Sequence, residues 1–332
     1  MDSFYNKETA AKVLDDVIAA RTRSSSSPQM YSMDMEAVAK FGLSIGKEMD
    51  GVASKLIQQN EHTGETEEAT VALQGIISAV RVPPFEIKNR RSDEGKRLPH
   101  IRQSLTITGL GSNAFKQIVT NFRHTYSMFS RYTPNAKLIS VPEFIGKDER
   151  LSDDTSKNTT ITASNRFFTP VKQAEGFRIV DIGGEIDPRG ILENVDKKKW
   201  VHTEDNEVAY YVLGTGDDEG SYKPTTSIIF QVGDIVELQV SLICIPTKGD
   251  YTVKVVLRSV VLLNGELTTE ATTARTLAID LPPTVPPRRL KRRNPYAANS
   301  GATKAHARVD VEGADADAGM EQYVDATIDH VL

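Results

Sequence analysis

The densest group of titratable side chains in the sequence is a histidine followed by three carboxylates. His202, Glu204, Asp205 and Glu207 lie within six consecutive positions. The His-x-Glu start is that of the zinc deaminases, but their metal also requires a Pro-Cys-x-x-Cys segment, and Cys244 is the only cysteine. The carboxylates suit a hard cation such as Ca²⁺ or Mg²⁺, although their spacing is not that of a calcium-binding loop. The pattern favours a charged turn before a strand, with no metal, cofactor or catalytic residue.

A second motif that could bind a ligand is the glycine turn Gly109-Leu-Gly111, which lies between a candidate strand and a candidate helix. This is the context of a dinucleotide-binding turn. The acidic residue that would bind ribose about 20 residues later is missing, and no βαβ alternation follows. We interpret the motif as a turn in which Ser112 or Asn113 caps the helix. Since Gly-x-Ser-x-Gly is also absent and Cys244 falls on an apolar strand face, where we expect an inert thiol, the sequence predicts a non-enzymatic protein.

The elements that must position these residues differ between the two halves of the chain. Up to residue 146, apolar residues recur mainly at intervals of three and four, the period of amphipathic helices. We expect one strand there, Arg102–Thr108. The predicted helices are Thr9–Ala20, a segment from Ser32 to Leu56, Glu67–Val80 and Ser112–Arg131.

From Thr159 onwards, short β-branched and aromatic runs alternate with turn residues, which is typical of a β-rich domain. The predicted short strands are Thr159–Phe168, Phe177–Ile182, Glu207–Leu213 and Ser227–Gln231. The fold class is therefore α+β, with a β-rich barrel or sandwich. A barrel of the oligonucleotide-binding type is one architecture that fits this prediction. The predicted divisions are a mainly helical region 1–146, a β-rich domain 159–280 and a disordered tail 281–332.

The strongest structural signal is a long hairpin. Apolar and polar residues alternate in Asp234–Ile245 and again in Tyr251–Leu263. The two apolar faces coincide if Thr247–Asp250 forms a four-residue turn. That register predicts the pairs Leu242–Val255 and Gln239–Arg258.

Charge in the tail is separated into two blocks. Seven basic residues and no acid lie between Val285 and Arg308, and seven acids and no base between Val309 and Leu332. The compact basic cluster fits a nuclear-localisation signal, with an import receptor as partner and the nucleus as location; the cytoplasm is the alternative. Its residues are Arg288, Arg289, Lys291, Arg292 and Arg293.

Composition limits the remaining choices. The 332 residues carry a net charge of −5, which argues against a globally basic nucleic-acid coat. A single cysteine excludes a disulfide framework. No apolar run approaches the roughly 18 residues of a membrane span, so we expect no membrane partner.

Three segments resemble a known group of sequences. They are His202-Thr-Glu-Asp-Asn-Glu-Val208, Gly233-Asp-Ile-Val-Glu237 and Val256-Leu-Arg258. Together, over residues 198–274, they resemble an uncharacterised protein family of mushroom-forming fungi. The resemblance implies a eukaryotic host and a recurrent hairpin module, and it implies no activity.

The preferred function is a nuclear binding protein whose β domain contacts DNA or RNA by aromatic stacking beside basic residues. Trp200, which follows three lysines, has two interpretations: a base-stacking residue or an anchor for the edge of the β domain. The alternative function is a structural or self-assembling protein, such as a capsid-like sandwich with a basic arm, and an enzyme ranks third. A homo-oligomer is compatible with either of the first two functions. The residues predicted to bind nucleic acid are Phe230, Tyr251, Lys254 and Arg258.

Overall fold

The computed structural model describes residues 1–47, 53–60, 63–85, 98–132, 145–148, 159–214, 216, 220–247 and 249–280. The predicted disordered tail and the five residues of its basic cluster lie outside this part of the chain, as does most of the predicted boundary before residue 159. Residues Met1–Leu281 form one compact unit. The α+β class is confirmed for the described residues.

Four α-helices are present in the described residues. Their first turns carry side-chain caps where the sequence supplies them: Asn6 accepts the Thr9 amide of α1, and Asp34 accepts the Ala37 amide of α2. The helices are α1 (Lys7–Ser24), α2 (Met35–Lys40), α3 (Asn113–Met128) and α4 (Glu266–Asp280).

Thirteen strands are described. In chain order they are β1 (Ser44–Lys47), β2 (Ser54–Gln59), β3 (Thr66–Glu68), β4 (Val71–Arg81), β5 (Arg102–Thr108), β6 (Ile145–Lys147), β7 (Thr159–Arg166), β8 (Thr169–Pro170), β9 (Trp200–Val201), β10 (Ala209–Leu213), β11 (Tyr222–Pro224), β12 (Ile235–Thr247) and β13 (Asp250–Asn264).

Eleven of these strands form one sheet in the order β11-β10-β13-β12-β4-β5-β7-β6, with β1, β2 and β3 attached through β12. Strands β8 and β9 pair separately. Because β11 and β6 end the main path without pairing to each other, the described sheet is open. Of the two predicted architectures, a barrel or a sandwich, the barrel is therefore corrected. Both end strands have three residues, and β11 finishes at Pro224, so they offer little edge for sheet-to-sheet association. Homo-oligomer formation stays a prediction.

Strands from both predicted halves of the chain lie side by side. Strand β4 pairs with β12 from Val71↔Val240 to Ile76↔Ile235. Strand β5 pairs with β7 over the whole of Arg102–Thr108. The division between residues 146 and 159 therefore does not separate two sheets or two cores.

Two predicted helices are wrong. In the described residues between Ser32 and Leu56, the α-helix is limited to the short α2, which ends before Gly42 (φ +59°) and is followed by β1 and the start of β2. The segment Glu67–Val80 is mainly strand β4, whose residues 71–77 are all buried. A strand that is covered on both faces lacks the alternation of a half-exposed strand, and its apolar spacing then resembles that of a helix.

Among the remaining predicted elements, several are confirmed and two do not form strands. The helices at Thr9–Ala20 and Ser112–Arg131 and the strand at Arg102–Thr108 are confirmed. Ser227–Gln231, predicted as a strand, contains a 3-10 turn, and Phe177–Ile182 contributes only the isolated bridge Ile179↔Thr203.

The long hairpin forms with two register shifts, one between Ile235 and Val236 and one between Gln239 and Val240. Leu242 pairs with Val255 as predicted, but Gln239 pairs with Ser259 rather than with Arg258. A β-bulge between Gln239 and Val240 leaves Arg258 opposite no residue of β12. Beyond the bulge, β12 leaves β4 and pairs with β2 at Ile243↔Lys55.

The main core lies between one face of the sheet and the helices. Alternate residues of β5 and β7, including Ile107 and Ile161, pack there with Phe115, Ile118 and Phe122 of α3. A smaller cluster lies beyond the ends of β5 and β7. It consists of Leu98, Phe167, Phe168, Leu192 and Val195.

A buried ion pair fastens α1 to the sheet. Arg21 Nε and Nη2 donate to Glu237 Oε2 and Oε1 at 2.8 and 3.0 Å. Gln74 Nε2 donates to Glu237 Oε2 at 2.8 Å, and Tyr222 Oη accepts from Arg21 Nη2 at 2.5 Å. The side chain of Glu237 is 0% exposed and that of Arg21 is 8% exposed. The carboxylate raises the already high pKa of Arg21.

A second buried carboxylate, Asp234, has no basic partner among the described residues. It follows Gly233 (φ +110°), whose carbonyl accepts a hydrogen bond from Tyr5 Oη at 2.6 Å. Asp234 Oδ2 accepts the Gln231 amide at 2.7 Å. Burial raises the pKa of the Asp234 carboxyl above its ordinary value.

Replacing Asp234 by asparagine is expected to change how stability depends on pH. The folded chain holds the Asp234 proton more tightly than the unfolded chain, so wild-type stability is lost as pH rises from the unfolded pKa through the folded one. The variant lacks this proton, and its stability relative to wild type should increase between about pH 4 and about pH 7. Urea denaturation at both pH values measures the change.

Asp196→Asn is the control, because a hydrogen bond from Lys199 lowers the pKa of Asp196. A lowered pKa confines the effect of Asp196 to pH values below about 4, so the stability of this variant relative to wild type should stay nearly constant over the same pH range. An Asp234→Asn difference that does not vary with pH would contradict the assignment.

Candidate functional site

The four residues predicted to bind nucleic acid do not form one exposed surface. Phe230 is 4% exposed and packs in the main core, its ring 5.6 Å from that of Tyr210. Tyr251 is half-buried against the same core. Lys254 is half-buried on β13. A role of these residues in nucleic-acid binding stays a prediction, although the Phe230 ring is not accessible to a base in this structure.

Arg258, the fourth of these residues, is held by carboxylates. Its Nη2 lies 2.5 Å from Glu68 Oε1 and 2.8 Å from Asp205 Oδ1, and its Nη1 donates to the Asp205 carbonyl at 2.7 Å. Lys55 Nζ lies 2.8 Å from the other oxygen of Glu68. Burial raises the pKa of Glu68, but Arg258 and Lys55 outweigh it and hold the pKa below its ordinary value. Arg258 therefore joins β3, the 204–206 turn and the bulge of the hairpin.

The histidine and carboxylates of the 202–207 segment point to different partners. His202 is buried and its Nδ1 lies 2.7 Å from the Phe167 carbonyl oxygen. Glu204 pairs with Arg178 at 3.2 Å, whereas Asp205 pairs with Arg258. Thr203 and Asn206 form a capping box around the turn. In the described residues, no three histidine, cysteine or acidic side chains are placed to hold a metal ion. The 204–206 turn precedes strand β10, as the charged-turn interpretation predicts.

The glycine turn before α3 is filled by a carboxylate from the same chain. Ser112 Oγ accepts the Phe115 amide at 3.0 Å, so the predicted cap is confirmed. Asp15 Oδ1 of α1 accepts the Ala114 amide at 3.0 Å and the Ser112 hydroxyl at 2.5 Å. A Cβ on Gly109 would lie 2.5 Å from Phe115 Cβ, so the glycine permits close packing. The position that a phosphate would take at this helix N-terminus is occupied by Asp15.

Cys244 is buried on the apolar face of β12, as expected. Burial raises the pKa of its thiol to about 11. Within the described residues, none of the helices has both the length and the hydropathy needed to span a membrane.

Three arginines that were not singled out from the sequence meet on the outer face of the sheet. Arg102 of β5 is directly opposite Arg166 of β7, and Arg81 of β4 is directly opposite Ser104 of β5. Directly opposed residues of antiparallel strands project to the same side. We call the surface formed by Arg81, Arg102 and Arg166 the arginine face.

The positions beside the arginine face are small and polar. Ser104 and Ser164 are opposed, as are Thr106 and Thr162, whose Oγ1 atoms are 2.9 Å apart. All four are partly exposed, whereas the intervening residues of β5 and β7 are buried on the core side. The strands β4, β5 and β7 contain no aspartate or glutamate. This face is therefore positively charged, rich in hydroxyls and without a carboxylate on its own strands.

The opposition of Arg102 and Arg166 has an energetic cost, because like charges directly across a strand pair repel. Arg166 Nη1 donates to Gln173 Oε1 at 3.2 Å, and Arg166 takes part in a further interaction as well. Arg81 and Arg102 are exposed and form no ion pair with another described residue. An oxyanion between these guanidinium groups would relieve the repulsion and accept paired N–H donors, the geometry in which arginine binds phosphate.

No protein-family model and no curated protein matches the sequence. Among solved structures, the single-stranded DNA-binding protein from bacteriophage Enc34 in complex with ssDNA is similar at 10% sequence identity and a TM-score of 0.33, over 66% of this chain and 94% of that chain. A C-terminal truncation of the Enc34 protein is similar at 10% identity and a TM-score of 0.29, over 68% of this chain and 95% of that chain. TM-scores this low do not establish a common fold, so function is inferred from the chain's own residues.

Proposed function

We propose that the protein is a non-enzymatic nucleic-acid-binding protein whose arginine face contacts the phosphate backbone of DNA or RNA. One observation carries the proposal: strand pairing brings the exposed Arg81 and Arg102 and the half-buried Arg166 to one face of three strands that contain no carboxylate. Guanidinium groups bind phosphate oxygens in pairs, and hydroxyls such as those of Ser104 and Ser164 add neutral hydrogen bonds.

The net charge of −5 does not oppose this proposal, because nucleic-acid affinity depends on the local arrangement of charge. Along the sequence, no acid occurs between Glu94 and Glu143, so the chain around β5 and α3 is basic throughout. The tail cluster from Arg288 to Arg293 is proposed to bind an import receptor and direct the protein to the nucleus. Its charge makes it a second polyanion contact, which the experiment must separate from the arginine face.

Replacing Arg81, Arg102 and Arg166 together by glutamine is expected to weaken binding of a labelled oligonucleotide by roughly 100-fold at low salt. The estimate assumes somewhat less than a tenfold loss for each charged hydrogen-bonding contact. With three phosphate contacts removed, the slope of log K against log salt should fall by about 2, since each contact contributes about 0.7 for a single strand. Fluorescence anisotropy over a series of salt concentrations measures both quantities.

The matched control removes the same charge from another surface. Lys116, Arg123 and Arg131 are exposed residues of α3 and the turn after it, and α3 packs on the core side of the sheet. The variant with glutamine at these three positions should retain affinity within a few-fold. Equal losses in the two triple variants would contradict the proposal, because binding would then depend on net charge. Full affinity in the arginine-face variant would also contradict it, because binding would then depend on another part of the chain such as the tail.

A further inference from the structure

An aromatic pair lies next to the arginine face. His100 precedes Arg102 by two residues, so their Cα atoms are within about 7 Å of each other. The His100 ring is 5.8 Å from that of Trp200, and their planes are inclined at 76°. His100 is exposed, whereas Trp200 is half-buried against the smaller hydrophobic cluster. The pair thus combines a firmly held indole with an accessible imidazole.

Basic side chains precede this pair directly. Lys197 and Lys198 are exposed and form no ion pair with another described residue, while Lys199 is paired with Asp196 at 3.1 Å. The Asp196 carboxylate also accepts the Lys198 amide at 3.1 Å, which fixes the turn that leads into β9. Strand β9 is held by β8 through Pro170↔Trp200. Lys197 and Lys198, which form no ion pair with a described residue, therefore precede Trp200 by three and two positions in an ordered turn.

We infer that the His100–Trp200 pair stacks on an unpaired base, so that the protein selects single-stranded over duplex nucleic acid. This inference rests on the proposed function and specifies its partner. Aromatic side chains stack on any base that is splayed out of a strand, and basic neighbours hold the flanking phosphates. In a duplex the base faces are covered by neighbouring pairs, which leaves only the backbone for the arginine face. Because the two rings are inclined at 76°, the base lies parallel to one of them, and the His100 ring is the more exposed.

Trp200 makes the inference directly testable, because it is the only tryptophan in the chain. Its emission in the full-length protein should be quenched on titration with oligodeoxythymidylate. A duplex of the same length at the same salt should cause little quenching. Binding of each nucleic acid is followed in parallel by the anisotropy of a label on the oligonucleotide, which does not depend on Trp200.

Three variants at two positions test the side chains separately. His100→Ala changes an exposed residue and keeps the indole, and it should weaken oligodeoxythymidylate binding roughly tenfold while duplex binding is unchanged. Trp200→Leu should weaken binding by at least as much, and Trp200→Phe, which keeps a ring, by less. Circular dichroism identifies the folded variants, and His100→Ala remains informative if the Trp200 variants do not fold.

The two proposals fail in different ways. If labelled oligonucleotides bind neither as a single strand nor as a duplex, the proposed function is wrong. If binding depends on Arg81, Arg102 and Arg166 but is equal for both forms, or leaves Trp200 emission unchanged, the stacking inference is wrong and the proposed function stands.

Discussion

Replacing Glu237 by glutamine should lower the free energy of unfolding by about 3–5 kcal/mol. The substitution keeps the size of the side chain but leaves Arg21 as a buried guanidinium without its carboxylate. It also places an amide where Arg21, Gln74 and Gln239 all donate hydrogen bonds, at distances from 2.8 to 3.3 Å. A domain of ordinary stability has about 5–15 kcal/mol in total, so this loss would be a large fraction of it.

Urea denaturation of the full-length protein, followed by circular dichroism, measures the effect. Arg275→Gln is the control, because Arg275 and its partner Asp2 are 46% and 36% exposed. The control should lose much less than Glu237→Gln, since solvent screens an exposed pair. If both variants lost the same free energy of unfolding, the Arg21–Glu237 pair would not be the interaction that holds α1 on the sheet.

A double variant separates the cost of an unpaired charge from the worth of the pair. Arg21→Met combined with Glu237→Leu removes both charges and fills the space with apolar atoms. Because desolvation of two ions offsets much of their attraction, the double variant should recover most of the stability that Glu237→Gln loses. Failure to recover would mean that the hydrogen bond donated by Gln74 to Glu237 and the one accepted by Tyr222 from Arg21 carry the energy instead of the ion pair.

The sequence predicts well those elements that have one exposed face. Helix α3, strand β5 and the long hairpin all show a clear period, and each lies close to its predicted bounds. Strand β4 was missed because residues 71–77 are buried on both faces. Its amide at Ala72 even bonds to the Pro28 carbonyl outside the sheet. Periodicity carries no information where both faces are covered.

The candidate site could be predicted only in part, since its residues come from three strands. Arg102 and Arg166 each fall on the polar side of a strand that was predicted from its pattern. Their opposition depends on the register of β5 with β7, and 63 positions separate them in the chain. The acid-free stretch between Glu94 and Glu143 is the one sequence signal that points to this surface. Spacing within a single segment predicts a face, whereas pairing between distant segments comes from packing of the whole core.

The same distinction explains why the ion pairs of Arg258 could not be predicted from the sequence. In the hairpin alone it falls on the polar side of β13, where an arginine is normally exposed. The bulge at Gln239–Val240 and the arrival of Glu68 and Asp205 from distant segments are not visible in the local pattern. Arg258 is therefore a residue type that commonly binds phosphate, but its guanidinium group is paired with Glu68 and Asp205.

Replacing Arg258 by methionine should accordingly destabilise the fold by about 2–3 kcal/mol while leaving nucleic-acid affinity unchanged. The side chain is 16% exposed and its partners Glu68 and Asp205 are 23% and 19% exposed, so the cost lies somewhat below that of a fully buried pair. Methionine retains the apolar stem of arginine, which limits the loss to charge and hydrogen bonding.

The pH dependence of this variant tests the cause as well as the size of the effect. In the wild type, the pKa of Glu68 is held below its ordinary value, so its stabilising contribution is present above the unfolded pKa and is lost as pH falls through the folded one. The stability difference between wild type and Arg258→Met should therefore shrink on acidification. A stability difference that stays constant with pH would show that Glu68 is not the cause. A loss of oligonucleotide affinity as large as that of the arginine-face variant would show that Arg258 contacts nucleic acid.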